Sequence, residues 1–370
     1  MSAPRLLIDL EKLHHNALTL VQRLALHGIS VTGVTKAALG APEIGNVLLQ
    51  AGVTALAGSR IENLEVMKRA GVPGQMTLIR SPMLSQVDRV VRHADVSFNT
   101  ELDVISALSS AAQQAGRMHG VILMVELGDL REGIMPRDLK ETVRQARRFP
   151  NIGIKGIGTN LACRSGVSPD ANNMAELSIL ADSIESSLGI EIGIVSGGNS
   201  ANLQWALSGA DTGRINNLRL GESILLGREP LQRQPIEGLH TDAITLVAEV
   251  IESKLKPSLP WGETAQTAFG EKLPTIDRGN IWQTILAIGH QDTDPCGLLP
   301  PEGIKILGAS SDHLIVDSSS YHERLSVGSE VTFRLNYSAL VRAMTSPFVT
   351  KVMESTMATL PAEIAQSFRA

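Results

Sequence analysis

Residues 29–40 read ISVTGVTKAALG, a run of apolar and β-branched residues that reaches Lys36 and then turns at small residues. An uninterrupted run of this composition predicts a strand that is buried on both faces. Lys36 would then stand at the carboxyl end of that strand. Taken alone, a solvated loop lysine is the simpler interpretation, so the rest of the chain has to decide.

Outward from this run, strand-like and helical patterns alternate along the chain. Amphipathic helical stretches lie near 41–51, 60–70, 100–115, 136–147 and 170–188. Eight strands between such helices predict an α/β fold with an N-terminal (β/α)8 TIM barrel. A doubly wound open sheet is the alternative, and the count of eight favours the barrel. The strand-like runs lie near 30–36, 54–58, 76–80, 95–99, 120–127, 153–159, 191–196 and 214–218.

The pattern changes after residue 228. Helical periods become rare, and prolines separate short strand candidates near 243–250, 284–288, 304–308, 313–317 and 329–335. We therefore predict a barrel domain over residues 1–228 and a mostly-β domain over residues 229–370. Within the first domain, residues 5–9 predict a short strand and residues 10–26 a helix.

Composition excludes several classes of function. The net charge of −5 carries no long run of one sign, and only 3% of the 370 residues are aromatic, so neither nucleic-acid nor membrane-surface binding is indicated. No stretch approaches the length of a membrane span, and the first residues carry charges where a signal peptide is apolar. The two cysteines, Cys163 and Cys296, lie too far apart for a CxxC pair. A cytoplasmic enzyme is the expectation.

Two glycine turns follow the last two predicted barrel strands. One reads SGGNS over residues 196–200 and the other LRLGE over residues 218–222. In a barrel, phosphate sites often follow strands seven and eight, where backbone amides approach an anion closely. An ordinary helix cap would explain SGGNS alone. An amine, a phosphate cup and an arginine on one face together favour pyridoxal phosphate (PLP) as a cofactor.

At this point the sequence resembles a known group, the fold-type III PLP enzymes typified by alanine racemase. It is most similar to the ornithine and lysine racemase branch, and the resemblance covers nearly the whole chain. The segments that carry it are IDLEKLHHN (8–16), VTKAALG (34–40), MVELGDLREGI (124–134), SGGNS, LRLGE, AIGHQD (287–292), GASSDHLIVD (308–317) and LNYSAL (335–340).

The resemblance implies roles for individual residues. Lys36 would carry the cofactor covalently and act as a base on one face of the substrate Cα, which requires an uncharged amine. Arg219 would donate to the pyridine nitrogen, and Arg131 would orient the ring oxygen or the substrate carboxylate. Asn160 stands where the family has a histidine against the ring. The residues expected around the phosphate are Ser196, Gly198, Asn199, Gly221 and Tyr337.

Racemisation also needs an acid or base on the opposite face of Cα. The family supplies a tyrosine there from the partner subunit, and His290 occupies the matching position in this chain. A histidine suits the task because its pKa lies near neutral pH. Cys296 is a competing candidate, and Asp312 is expected near the substrate. The resemblance therefore also implies a homodimer with shared sites.

An acidic residue near the substrate would favour a cationic side chain, as in ornithine or lysine. Glu126 is the preferred candidate, with Asp129 and Glu132 beside it, although each is equally compatible with a solvated loop carboxylate. Arg80 would contact the substrate carboxylate or pair with a neighbouring residue. The alternatives are a decarboxylase of basic amino acids, whose family places an acidic residue at the pyridine nitrogen, and a non-catalytic PLP carrier.

Overall fold

Eight parallel strands close into a barrel in the computed structural model, which describes residues 2–270 and 276–355. Each strand pairs with the next in chain order, and β2 pairs with β9 to complete the ring. The predicted (β/α)8 barrel is confirmed. Its strands are β2 (Ser30–Val34), β3 (Ala55–Gly58), β4 (Gln75–Leu78), β5 (Val96–Asn99), β6 (His119–Met124), β7 (Ile152–Gly158), β8 (Ile194–Gly198) and β9 (Asn217–Leu220).

Helices cover the outside of the barrel, which explains why its strands lack an alternating pattern. Every residue of β3, β5 and β6 is buried, since one face meets the helices and the other fills the interior. The helices are α1 (Leu10–Ala25), α2 (Pro42–Gln50), α3 (Ile61–Arg69), α4 (Val87–His93), α5 (Leu102–Gln114), α6 (Pro136–Ala146), α7 (Ala171–Leu188), α8 (Leu203–Ala206) and α9 (Glu222–Leu226). Among the described residues, no helix is both long and apolar enough to cross a membrane.

One histidine lies inside the barrel wall, far from water. His119 is 1% exposed, its Nε2 lies 2.8 Å from the Ser97 hydroxyl, and its Nδ1 has no hydrogen-bond partner in the described chain. Burial lowers the pKa of His119 to about 4, and the charge of Arg117 acts in the same direction. The folded protein therefore keeps this ring neutral at pH values where an exposed histidine is protonated.

We expect His119 to make the fold sensitive to mild acid. Between pH 6.5 and about 4 the unfolded chain binds a proton at this residue that the folded chain does not. The free energy of unfolding should therefore fall with decreasing pH, by on the order of 3 kcal/mol at about 1.4 kcal/mol per unit of pKa. Urea unfolding at several pH values should give a shallower dependence for His119→Gln than for the wild type. Equal slopes would contradict the assignment.

A second, mixed sheet lies beside the barrel and is mostly antiparallel. Its path runs β12-β15-β10-β11-β14-β13. The five predicted β segments correspond to β10, β11, β13, β14 and β15, whereas β12 and β16 are not predicted from the sequence. The C-terminal strands are β10 (Ile244–Pro257), β11 (Asn280–Leu286), β12 (Leu298–Leu299), β13 (Lys305–Ala309), β14 (Leu314–Asp317), β15 (Glu330–Leu335) and β16 (Thr350–Glu354).

The first strand of the chain, β1 (Arg5–Asp9), belongs to this second sheet rather than to the barrel. It runs antiparallel to β10 and parallel to β16. The prediction that residues 1–228 form one barrel unit therefore needs correction at its beginning. A strand of five residues carries no signal for which sheet it joins, since that depends on partners distant in sequence.

The C-terminal half also contains a helix that the strand pattern did not predict, α10 (Tyr337–Thr345). The Asn336 side chain caps it by accepting a hydrogen bond of 2.9 Å from the Ala339 amide. This helix packs against the turn that follows β2 and so reaches the mouth of the barrel. It brings Tyr337, a residue of the C-terminal half, to the cavity at the mouth of the barrel.

Candidate active site

A cavity of about 510 Å³ opens at the carboxyl ends of the barrel strands. Its walls come from the ends of several barrel strands and from the turns that follow them. Lys36, Arg131 and Arg219 are among the lining residues. Tyr337 at the start of α10 and Arg233 from the segment after the barrel complete the lining. The predicted amine, phosphate turns and arginines thus share one cavity at the end of the barrel where active sites are found.

Lys36 is the first residue of a short 3₁₀ turn after β2, and it is half-buried. Its Nζ lies 5.7 Å from the centre of the Tyr337 ring. Burial lowers the pKa of the Lys36 amine, and the positive charges of Arg131 and Arg219 act in the same direction. The cavity therefore favours the uncharged, nucleophilic form of this amine.

The turn that carries Lys36 is held in place by its neighbours. The Thr35 hydroxyl donates to the Ala57 carbonyl at 3.2 Å, on the adjacent barrel strand. Gly40 adopts a φ of +71°, and a Cβ there would overlap the backbone carbonyl of Asn63. Because only glycine tolerates both conditions, Gly40 lets the turn close tightly against α3 and keeps the amine at the cavity.

Arg219, on β9, is 5% exposed. Its Nη1 donates to the Ser196 hydroxyl at 2.6 Å, and its Nη2 donates to the Thr159 carbonyl at 2.7 Å. The guanidinium carbon lies 4.9 Å from the centre of the Phe98 ring. Burial lowers the pKa of Arg219 to about 10, so the group stays cationic at neutral pH. Since these hydrogen-bond acceptors are neutral, its charge is available to a ligand in the cavity.

Asn160 connects Arg219 to the glycine turn after β8. Its Oδ1 accepts from Arg219 Nη2 at 3.3 Å and from Asn199 Nδ2 at 3.1 Å. Its Nδ2 is buried and finds no acceptor among the described residues. A buried donor left unpaired costs free energy, so its place in the cavity wall indicates a ligand acceptor there.

The two glycine turns form one continuous cup. Gly198 has a φ of +146°, and a Cβ there would overlap the side chain of Asn202. Ser200 follows, and its hydroxyl accepts from the Ser223 amide at 3.2 Å, which ties the two turns together. Ser200 and Gly221 both line the cavity.

The predicted phosphate contact from the Ser196 side chain needs correction. This hydroxyl is fully buried, does not line the cavity, and donates to Asn217 Oδ1 at 2.7 Å while accepting from Arg219. It positions Arg219 instead.

The acidic residues on the loop after β6 have different roles from those predicted. Glu126 Oε1 accepts from the amides of Gly128 at 2.6 Å and Leu130 at 3.0 Å, and the residue is buried. It shapes the loop and does not line the cavity, so the preference for Glu126 as a substrate contact is corrected. Glu132 does line the cavity, where both its oxygens accept from the guanidinium of Arg131.

Asp129 fastens the same loop to the one after β7. Its carboxylate accepts from the amides of Arg164 at 2.9 Å and Ser165 at 3.1 Å. The carboxylate is therefore engaged in holding two loops together rather than turned to a substrate.

Arg80, at the end of β4, lines the cavity as expected. An ion pair that the sequence does not predict, between Glu222 and Arg233, also lines the cavity. Burial raises the pKa of Glu222, and the Arg233 charge opposes that shift. Glu222 adjoins a motif already noted, but Arg233 lies beyond the predicted barrel domain, where no pattern marks a site residue.

His290, Asp312 and Cys296 do not line the cavity of their own chain. The His290 amide donates to the Ser310 carbonyl at 3.0 Å, and its ring centre lies 4.2 Å from that of Phe269. Asp312 lies beside it, bonded to Gln291 at 2.9 Å, and Cys296 is exposed elsewhere in the C-terminal domain. One chain therefore does not bring these residues to Lys36.

The residues around the cavity fit a phosphorylated pyridine cofactor. Lys36 offers an amine of lowered pKa, Arg219 a buried cation, and Asn160 an unpaired donor. Ser200 and Gly221 present the two tied turns of the cup to the cavity. Lys36, Arg219, Asn160 and Gly221 all line the same cavity.

Comparison with known proteins identifies the family to which the chain is similar. Residues 8–229 match the family described as alanine racemase, N-terminal domain. The chain is 42% identical over 351 residues to an ornithine racemase from Acetoanaerobium sticklandii, covering 94% of this chain and 99% of the relative. It is 39% identical over 355 residues to a lysine racemase from Thermotoga maritima, covering 96% and 99%.

Solved structures agree on the fold. An alanine racemase from Bartonella henselae with covalently bound pyridoxal phosphate superposes with a TM-score of 0.73 at 18% identity, covering 96% of this chain and all of that one, 100%. At this level of identity the likeness extends to the architecture of barrel and C-terminal sheet.

Proposed function

Since this chain belongs to the alanine racemase family, we propose that it interconverts the L and D forms of a free basic amino acid, ornithine or lysine. The single observation that carries the proposal is the cavity wall on which Lys36, Arg219 and the glycine cup stand together. Identities of 42% to an ornithine racemase and 39% to a lysine racemase, each over nearly the full length of the chain, support the substrate class. The family consists of PLP enzymes, and the residues present would hold that cofactor here.

When bound, PLP supplies the electron sink that makes the proton on the substrate Cα removable. The protein supplies the positions and the protons. Lys36, whose amine has a pKa lowered by burial, would take or return the proton on one face of Cα. Arg219 would donate a hydrogen bond to the ring nitrogen of the cofactor, and its own positive charge would disfavour protonation of that nitrogen. Asn160 contributes its unpaired amide donor beside Arg219.

Arg219, proposed to lie at the ring nitrogen, distinguishes racemisation from decarboxylation, the main alternative function. A decarboxylase of this architecture would present an acidic residue there, whereas the buried group at this position is a guanidinium. A cation limits how far the cofactor withdraws electrons, which suits reversible proton transfer.

We also propose that the active form is a homodimer in which His290 of one subunit faces Lys36 of the other. The reason is that His290 and Asp312 lie on the C-terminal domain, away from the cavity of their own chain. His290 can therefore act on the second face of Cα only in the cavity of a neighbouring copy, which is the source that the family uses. A cytoplasmic location stays a prediction from the sequence.

The activity is tested with purified protein, PLP and single L-amino acids. We expect D-ornithine or D-lysine to appear, measured by chiral chromatography, with slower conversion of L-alanine because it lacks a distal ammonium. Carbon dioxide release without a D product would contradict racemisation in favour of decarboxylation. No turnover of any amino acid would favour a carrier.

A further inference from the structure

We infer that Glu132 binds the side-chain ammonium of the substrate and so selects basic amino acids. The inference rests on the proposed function and goes beyond it, since it names the residue responsible for the substrate class. Carboxylates in and beside the cavity are the natural partners of a distal ammonium. The structure distinguishes among four of them.

Two of the four are already engaged by backbone amides. Glu126 shapes its own loop, and Asp129 joins that loop to residues 163–165. Neither lines the cavity. Turning either carboxylate towards a substrate would leave buried amide donors unpaired, which is costly.

The third carboxylate, Glu222, belongs to the phosphate end of the cavity. It directly follows Gly221 of the cup and pairs with Arg233. The pair joins the segment after the barrel to the cup. Its place beside Gly221 puts Glu222 at the end of the cavity where the phosphate of the proposed cofactor would lie.

Glu132 is left, and its geometry suits the task. Arg131 engages it with Nε on one oxygen and Nη2 on the other. A carboxylate has about four lone-pair sites, so a fork that uses one on each oxygen leaves two acceptors open. The side chain is 26% exposed, at the cavity rather than in the core.

The loop that presents Glu132 is rigidly held. Backbone hydrogen bonds of 3.0 Å from Glu126 to Ile134 and 2.8 Å from Ile134 to Met124 close it at its base. Arg131 is fixed in turn by a contact of 2.7 Å from its Nη1 to Cys163 Sγ. Glu132 is thus presented in one position before substrate arrives, which is the condition for discrimination.

The test uses the variant Glu132→Gln, in which the side chain keeps its size and loses its negative charge. We expect the ratio of kcat/KM for ornithine to that for norvaline, its neutral analogue, to fall by roughly 10- to 100-fold, the range of a hydrogen bond between charged groups. Glu222→Gln is the comparison variant and should lower both rates alike. An unchanged ratio in Glu132→Gln, or a fall confined to Glu222→Gln, would overturn the inference.

A binding measurement separates this inference from the proposed function. By calorimetry, δ-aminovalerate and valerate differ only in the distal ammonium, and neither has an α-amine to react. The Glu132→Gln variant should bind δ-aminovalerate about 10-fold or more weakly than the wild type does and should bind valerate with unchanged affinity. Equal binding of δ-aminovalerate by both proteins would refute the role of Glu132 even where racemisation is observed. Conversely, a wild type that binds it through Glu132 but forms no D product would refute only the activity.

Discussion

Replacing Lys36 with alanine is expected to abolish racemisation, with kcat/KM lowered by more than roughly 10³-fold. The variant loses both the attachment point of the cofactor and the proton-transfer group on one face of Cα. The visible absorption of lysine-bound PLP should disappear with the activity, since no other lysine lines the cavity within the described chain. Absorption spectra and chiral assays of the same samples measure both effects.

Controls distinguish a lost amine from a damaged fold. Lys305→Ala removes an exposed lysine of β13 and should retain the absorption and the activity. Adding ethylamine to Lys36→Ala should restore part of the turnover, because a small amine can occupy the space that the side chain leaves. Full activity in Lys36→Ala would remove the basis of the proposed function.

Replacing His290 with alanine is expected to have the second-largest effect, a loss of about 10²- to 10³-fold, the range for a general acid or base. Because the proposed role is confined to one face of Cα, the loss should be unequal in the two directions. Deuterium wash-in from heavy water, started separately from the L and D enantiomers, measures this. Equal losses in both directions would speak against a one-face role, and Cys296→Ala tests the competing candidate.

Mixing two inactive variants shows whether the site is shared between subunits. A dimer of one Lys36→Ala chain and one His290→Ala chain contains one site with both residues intact, provided that each site combines Lys36 of one chain with His290 of the other. After random exchange, half the dimers are mixed and half their sites are active, so about a quarter of wild-type activity should return. No recovery after verified exchange would mean that both residues act within one chain or that His290 acts elsewhere.

The fold was largely predictable from the sequence because its strands are continuous apolar runs. All eight predicted barrel strands occur within a few residues of their expected positions, since burial on both faces produces a strong local signal. The strand at residues 5–9 is predicted but assigned to the barrel domain, whereas it joins the second sheet, and α10 is not predicted. Both depend on partners far away in the chain, which no local pattern encodes.

The site was predictable where chemistry and turn geometry coincide. Lys36, Arg219 and Gly198 follow strands whose ends necessarily meet at one edge of a barrel. The sequence does not predict which acidic residue faces the cavity, because Glu126 and Glu132 differ only in the direction in which the loop turns their side chains. Glu126 faces backbone amides and Glu132 faces the cavity, and six residues of sequence contain no sign of that difference.

The placement of β1 has a consequence for how the protein is made. The barrel strands pair in chain order, so each finds its neighbour soon after synthesis. Leu6 of β1, by contrast, pairs with Leu246 on one side and Lys351 on the other. During synthesis, β1 therefore has no partner until β10 has been made, roughly 240 residues later, and its second partner, β16, follows about 100 residues after that. Because β16 is the last of the described strands to be made, its pairing with β1 is the step that closes the second sheet.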